Sequence, residues 1–158
     1  MSSQLPECVI LIGLPGSGKS TLYRERFGAT HVHVSKDLWP NATKRDERQQ
    51  KMIADALAAG QSVVVDNTNP SVAERGKIIK LARAHATRVI GYFFDVSTRV
   101  AVARNAERIG RAKVPNVAIF TAAKRLESPS LAEGFDQLFR VTIAEDRSLR
   151  INEIADNR

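Results

Sequence analysis

Gly13-Leu14-Pro15-Gly16-Ser17-Gly18-Lys19-Ser20 fits the pattern G-x-x-x-x-G-K-[ST], with the apolar run Cys8-Val9-Ile10-Leu11-Ile12 just before it and a segment of helical period just after. A strand, a glycine-rich turn and a helix in that order build an anion-binding loop. Glycines let the backbone curl so that successive N–H groups point inward, and the opening helix adds the positive end of its dipole. The pattern predicts that Gly13, Leu14, Pro15, Gly16, Ser17 and Gly18 wrap the phosphates of a nucleoside triphosphate. It sends the Lys19 ammonium to the β- and γ-phosphates and the Ser20 hydroxyl to Mg²⁺. Thr21 either adds a hydroxyl near the α-phosphate or fills the interior. ATPase, GTPase and kinase chemistry stay open on this loop alone, although the N/T-K-x-D base-recognition sequence usual in a GTPase is absent.

Outward from the loop, short runs rich in β-branched and aromatic residues alternate with longer segments of helical period. Strands are predicted at Cys8–Gly13, His31–Val34, Ser62–Asp66, Arg88–Asp95 and Leu138–Ile143. Near-continuous apolar runs suit strands covered on both faces, so the fold class is α/β with a parallel sheet. Helices are expected over 19–27, from Thr43 (with Asp46 three residues on) to Gly60, after the Ser71/Glu74 capping pattern, over 97–109, and from Pro115 to Leu126. The segment from Ala144 reads equally as loop, helix or a late strand.

A length of 158 residues suits one domain, expected to span 1–158, and no apolar run approaches the ~20 residues of a membrane span. The N-terminus has no secretory pattern and the lone Cys8 has no internal disulfide partner, which predicts a cytoplasmic protein without a membrane partner. The formal net charge is +7, and residues 61–127, with 12 basic against 5 acidic groups, hold the excess. Such an imbalance fits a protein that meets phosphates.

Parallel strands turn their carboxyl ends to one crevice, so Asp37, after the second strand, is expected beside the phosphate loop. An aspartate aimed at a hydroxyl acceptor can take its proton as a phosphoryl group transfers; the competing reading is a turn cap. Asp66-Asn67-Thr68-Asn69 closes the third strand at the same edge. Asp66 is a candidate for the Mg²⁺ shell, and Asn67 and Asn69 are candidates for gripping phosphate or acceptor, against the plain Asn69-Pro70 turn. Arg104, Arg108 and Arg111, four and three residues apart, would line one helix face as a lid over about 97–115. Trp39 either stacks on a base or packs, and the three histidines have no metal-ligand spacing.

These residues resemble the P-loop 5′-hydroxyl polynucleotide kinases, a family that includes the kinase domains of the phage enzyme and of animal polynucleotide kinase phosphatases. The resemblance runs to about residue 143 and rests on GLPGSGKST, VSKD, VVVDNTNP, RNAERIGRAKVP and LESPSLAEGFD. It implies a nucleotide-kinase sheet of five parallel strands ordered 2-3-1-4-5 with helices on both faces. It also implies Asp37 as general base, Arg108 as the lid arginine on the ATP phosphates and Arg104 as a supporting group. Phage-type members carry an acceptor-phosphate arginine three residues after the base, where this chain has Pro40; Arg48, with Arg45 beside it, is the substitute expected on the following helix. The implied reaction is transfer from Mg-ATP to the 5′-OH of DNA or RNA, as in nucleic acid repair, with any phosphatase or ligase on a separate protein. A small-molecule P-loop kinase for a sugar, shikimate or antibiotic hydroxyl, and a non-catalytic ATP-binding switch, are the alternatives.

Overall fold

A computed structural model describes residues 5–155. Strand β1 (Glu7–Ile12) pairs in parallel with β3 (Val63–Asp66) on one side and β4 (Arg88–Phe94) on the other. Outside these, β2 (Val32–Val34) joins β3 and β5 (Gln137–Ile143) joins β4, again in parallel. The five strands therefore follow the order 2-3-1-4-5. A sixth, β6 (Leu149–Glu153), lies antiparallel on β5, so the sheet is mixed and ordered β2-β3-β1-β4-β5-β6. The five-strand count is corrected by this hairpin: residues 144–148 turn tightly, with Ala144 and Ser148 joined by a backbone hydrogen bond of 2.8 Å.

Alternation along β1 explains why its run from Cys8 to Ile12 is wholly apolar. Cys8, Ile10 and Ile12 face one layer with Val63, Val65, Ile53, Ile78 and Leu138, while Val9 and Leu11 face Leu22, Phe27, Tyr92 and Phe94 in the other. Both faces are covered, so every position must be hydrophobic. Cys8 lies inside this core, where burial pushes its thiol up to about 12 and leaves it unreactive at neutral pH.

Helix α1 runs from Lys19 to Leu22 and continues as a π-helical turn, Tyr23–Phe27. Helix α2 (Arg45–Ala58) begins later than its Thr43 signal suggests. Lys44, in left-handed backbone with φ 55°, stands at its N-cap without a side-chain cap, because a lysine ammonium has no acceptor for the helix's free N–H groups; the Asp46 carboxylate is paired with the Lys36 ammonium. Helix α3 (Val72–Ala84) starts as its pattern predicts, with the Ser71 hydroxyl accepting from the Glu74 N–H at 3.1 Å. Helices α4 (Thr98–Ala106) and α5 (Asn116–Arg125) pack together through Ala101 and Ile119 against Leu14 of the phosphate loop. No described helix is long and apolar enough to cross a membrane.

One buried ion pair fixes the carboxyl edge of the sheet. Arg75 is fully buried and donates from Nε and Nη2 to the two Glu133 oxygens at 2.8 and 3.1 Å. Its Nη1 donates to the Asn69 carbonyl at 2.9 Å. The DNTNP and EGF segments, far apart in sequence, are thereby tied into one structure.

Candidate active site

The phosphate loop leaves β1 and turns over the N-terminus of α1. Two of its glycines are required by space as well as by backbone. Gly16 (φ 83°) lies against α4, where a Cβ would sit 2.5 Å from the Ala101 carbonyl oxygen; Gly18 (φ 107°) lies over Leu149, at 3.2 Å from such an atom. Arg104 donates from Nε to the Gly16 carbonyl at 2.9 Å and so braces the loop from α4. The Ser17 hydroxyl is buried without a hydrogen-bond partner among the described residues. Lys19 bends back along the loop, its ammonium donating to the Gly13 and Leu14 carbonyls at 2.6 and 3.2 Å. Burial pushes that ammonium down to about 8, opposed by the nearby Asp66 and Asp37 carboxylates and reinforced by Arg108. Ser20 is exposed at the head of α1, and Thr21 beside it is half-buried.

Asp37 sits on a short 3-10 turn, Lys36–Leu38, immediately after β2 and exposed to the same cleft. Three bonds hold that turn. The buried Ser35 hydroxyl accepts from the Asp37 N–H at 3.2 Å, and the Asn67 Oδ1 accepts from the Lys36 N–H at 2.9 Å. The Asn67 amide in turn donates to Oε1 of buried Gln49 on α2 at 2.6 Å. Asn67 therefore fastens three elements around Asp37, and both ends of its amide are occupied by protein. The other amide of the pair is equally committed: Asn69 is buried, in left-handed backbone (φ 47°), and donates to the Leu11 and Val65 carbonyls at 2.7 and 3.3 Å. The expectation that Asn69 grips an acceptor is corrected on that ground. Its side chain closes the polar backbone ends of β1 and β3 instead.

Asp66 ends β3 half-buried, with one carboxylate oxygen 2.9 Å from His33 Nε2. His33 stacks on Tyr23 of the π-helical turn at 4.1 Å between ring centroids. The sequence gives no sign of this relay, because it depends on β2 lying beside β3. Helical spacing also misplaces Arg108. Helix α4 ends at Ala106, and the next turn is closed by Asn105, fully buried, whose amide donates to the Val114 carbonyl at 2.6 Å and accepts from its N–H at 3.0 Å. Arg108 thus rises on a clipped loop, donating to the Ala112 carbonyl at 2.9 Å. Burial and the neighbouring Arg104 hold its guanidinium below the usual arginine range. The side chain of Arg111 lies outside the described residues.

The cleft that collects these groups has a volume of about 1580 Å³ and runs from the phosphate loop past Asp37 and Arg45 along α3. Arg45 reaches the Lys36 carbonyl at 3.4 Å from within it. Arg48 does not line it; its guanidinium lies 4.6 Å over the Trp39 ring, which itself packs on the core. One face of the Trp39 ring is thus covered, and of the two arginines only Arg45 lines the cleft.

Residues 8–129 match the profile of the AAA domain family. The chain is 29% identical over 143 residues to the bifunctional polynucleotide phosphatase/kinase of Schizosaccharomyces pombe, covering 88% of this chain and 34% of that protein. It therefore spans about a third of that relative's length. It is 26% identical over 161 residues to the L-seryl-tRNA(Sec) kinase of Methanococcus maripaludis, covering 92% of this chain and 62% of the relative. Among solved structures, a gluconokinase from Sinorhizobium meliloti superposes with a TM-score of 0.64 at 22% identity over 90% of this chain and 85% of the other, which speaks to the fold.

Proposed function

The chain belongs to the AAA domain family, and from that premise we propose that it is an ATP-dependent polynucleotide 5′-hydroxyl kinase. The observation that carries the reading is the placement of Asp37: a carboxylate fixed by Ser35 and Asn67 in the cleft that also holds Lys19 and Arg108. The polynucleotide phosphatase/kinase relative and the length of the cleft, whose lining has seven basic and five acidic residues, support the acceptor class.

The residues fit the two small molecules the reaction needs. Gly16 and Gly18, both in left-handed backbone and packed against Ala101 and Leu149, hold the loop in the curled form whose successive N–H groups can turn toward a phosphate. The exposed Ser20 hydroxyl and the Asp66 carboxylate are hard oxygen donors suited to Mg²⁺. Mg²⁺ there would neutralise charge on the β- and γ-phosphates. The chain's own groups do the rest. Asp37 accepts the proton of the 5′-hydroxyl as its oxygen attacks the γ-phosphorus. Lys19 and Arg108 donate to the transferring phosphoryl oxygens, and Arg104 keeps the loop in register. The product is a 5′-phosphate with release of ADP.

The test is transfer of γ-labelled phosphate from Mg-ATP to a 5′-OH oligonucleotide, beside the same strand already 5′-phosphorylated and a panel of small sugars and amino-sugars. Label is expected on the 5′-OH strand alone; equal or faster labelling of a small sugar would overturn the acceptor class in favour of a small-molecule kinase.

Two further outcomes follow from the geometry. Because Lys19 titrates near 8 in the free protein and a triphosphate favours its charged form, ATP binding takes up a proton above that pH. Affinity is full below pH 8 and falls toward tenfold per unit above it, about tenfold weaker at pH 9 than at pH 7. Calorimetry in buffers of different ionisation enthalpy reads both the affinity and the proton uptake; a flat profile from pH 7 to 9 would remove Lys19 from the phosphate site. Asn67→Ala frees the Asp37 turn on two sides, and misplacement on the order of 1 Å costs roughly 10²-fold in rate. A kcat loss of that order with unchanged ATP affinity is expected in steady-state assays, and an unchanged kcat would show that Ser35 holds the turn alone.

A further inference from the structure

The cleft is longer than a transferring phosphoryl group needs. Beyond Asp37 and Arg45 it follows α3 from Glu74 to Ala84, about 15 Å of helix at a 1.5 Å rise per residue. The charged groups along it are unequal in what they hold. Glu74 is paired with Arg125 at 2.7 Å, and Asp46 is paired with Lys36. On α3 itself Arg75 and Arg83 are bound to Glu133 and Asp136. Lys77 and Lys80 have no ion-pair partner among the described residues, are exposed, and line the cleft three residues apart. Lys77 is near enough to α2 for its charge to add to that of Lys36 in holding the Asp46 carboxyl below the usual carboxylate range. These lysines belong to the segment 61–127 that contains the chain's basic excess.

We propose that Lys77 and Lys80 form a basic rail that holds the phosphodiester backbone of the acceptor strand downstream of its 5′ end. The inference rests on the polynucleotide reading and deepens it, by naming which part of the acceptor beyond the first nucleotide is held. At about 3.4 Å per nucleotide along a helical strand, 15 Å accommodates roughly four nucleotides, and fewer when the strand is stretched. Two ammonium groups one helical turn apart match a repeating anion, and they hold a strand by charge without reading its sequence. Of the carboxylates on the flanking helices, Asp46 and Glu74 are paired with Lys36 and Arg125, which leaves Glu47 of α2 as the one that faces the cleft without an ion-pair partner among the described residues. A small hydroxylated acceptor would touch neither lysine.

The experiment compares the wild type with Lys77→Ala/Lys80→Ala on a 5′-OH dinucleotide and a 5′-OH 12-mer that begin with the same nucleotides, between 50 and 200 mM salt. ATP affinity and thermal melting check that the variant is folded. The wild type is expected to prefer the 12-mer in kcat/KM by at least tenfold, and the variant to lose about tenfold of that ratio. Its log–log salt slope on the 12-mer should shrink by about 1.4, at roughly 0.7 per phosphate contact on a single strand. A preserved length preference and slope in the folded variant overturns the rail while leaving the kinase reading intact. If the wild type labels neither strand, the kinase reading falls, and binding of a fluorescent 12-mer by both proteins decides the rail separately. Binding that weakens tenfold in the variant retains it as a nucleic-acid site, whereas equal or absent binding overturns it.

Discussion

Asp37→Asn is expected to lower kcat for phosphoryl transfer to a 5′-OH strand by 10²- to 10⁴-fold, the range of a positioned general base. The amide is nearly isosteric, and the turn that carries it is held by backbone groups, the Lys36 and Asp37 N–H donors, so the replacement does not loosen it. What changes is the ability to receive a proton. ATP affinity should hold or improve slightly, because one negative charge facing the phosphates is removed. Single-turnover transfer together with equilibrium ATP binding checks both halves. Transfer within tenfold of wild type would take Asp37 out of the chemistry and leave it as a turn residue; loss of ATP binding would point instead to a collapsed loop.

The second large effect is on folding. Arg75→Leu strips the partner from Glu133, whose side chain is only 6% exposed, and leaves a carboxylate enclosed without a cation. Breaking a buried pair from one side costs about 3–5 kcal/mol, which in a domain of this size lowers Tm by roughly 6–20 °C. The damage should not stay local, because Arg75 also holds the Asn69 carbonyl and through it the ends of β1 and β3 next to the phosphate loop. The double variant Arg75→Leu/Glu133→Leu, which removes both charges, should regain much of the loss. Calorimetric melting of the three proteins measures this, and a single variant melting within about 2 °C of wild type would show that water reaches Glu133.

The contrast between these two sites shows what a linear sequence discloses. Asp37 and Lys19 are legible because local order suffices: a strand's carboxyl end and a glycine loop point the same way in any parallel sheet. The central strands β1, β3 and β4 are legible for a similar reason, since burial on two faces writes a near-continuous apolar run, while β2 and β5 show through their β-branched and aromatic residues. β6 is not, because Leu149-Arg150-Ile151-Asn152-Glu153 covers a sheet edge on one side and carries polar groups toward solvent. Asn69 misleads because a short polar side chain at a strand end suits a ligand or a backbone clasp equally, and only the neighbouring Leu11 carbonyl decides. His33 reaches Asp66 across strands 33 residues apart. The arginine stripe fails where Asn105, nine residues from Val114, outcompetes helix continuation.

That Asn105 clasp decides how the loop carrying Arg108 can change. The chain between Asn105 and Val114 leaves and returns at one buried amide, while α4 below it is locked to the phosphate loop through Gly16 and Arg104. The eight intervening residues are then a cassette on a fixed socket. Apart from the Glu107–Arg147 pair, which ties it to the turn before β6, such a surface loop can rearrange without a domain swing and without moving the phosphate loop below. What that loop touches can change while α4 and the phosphate loop beneath it stay in place.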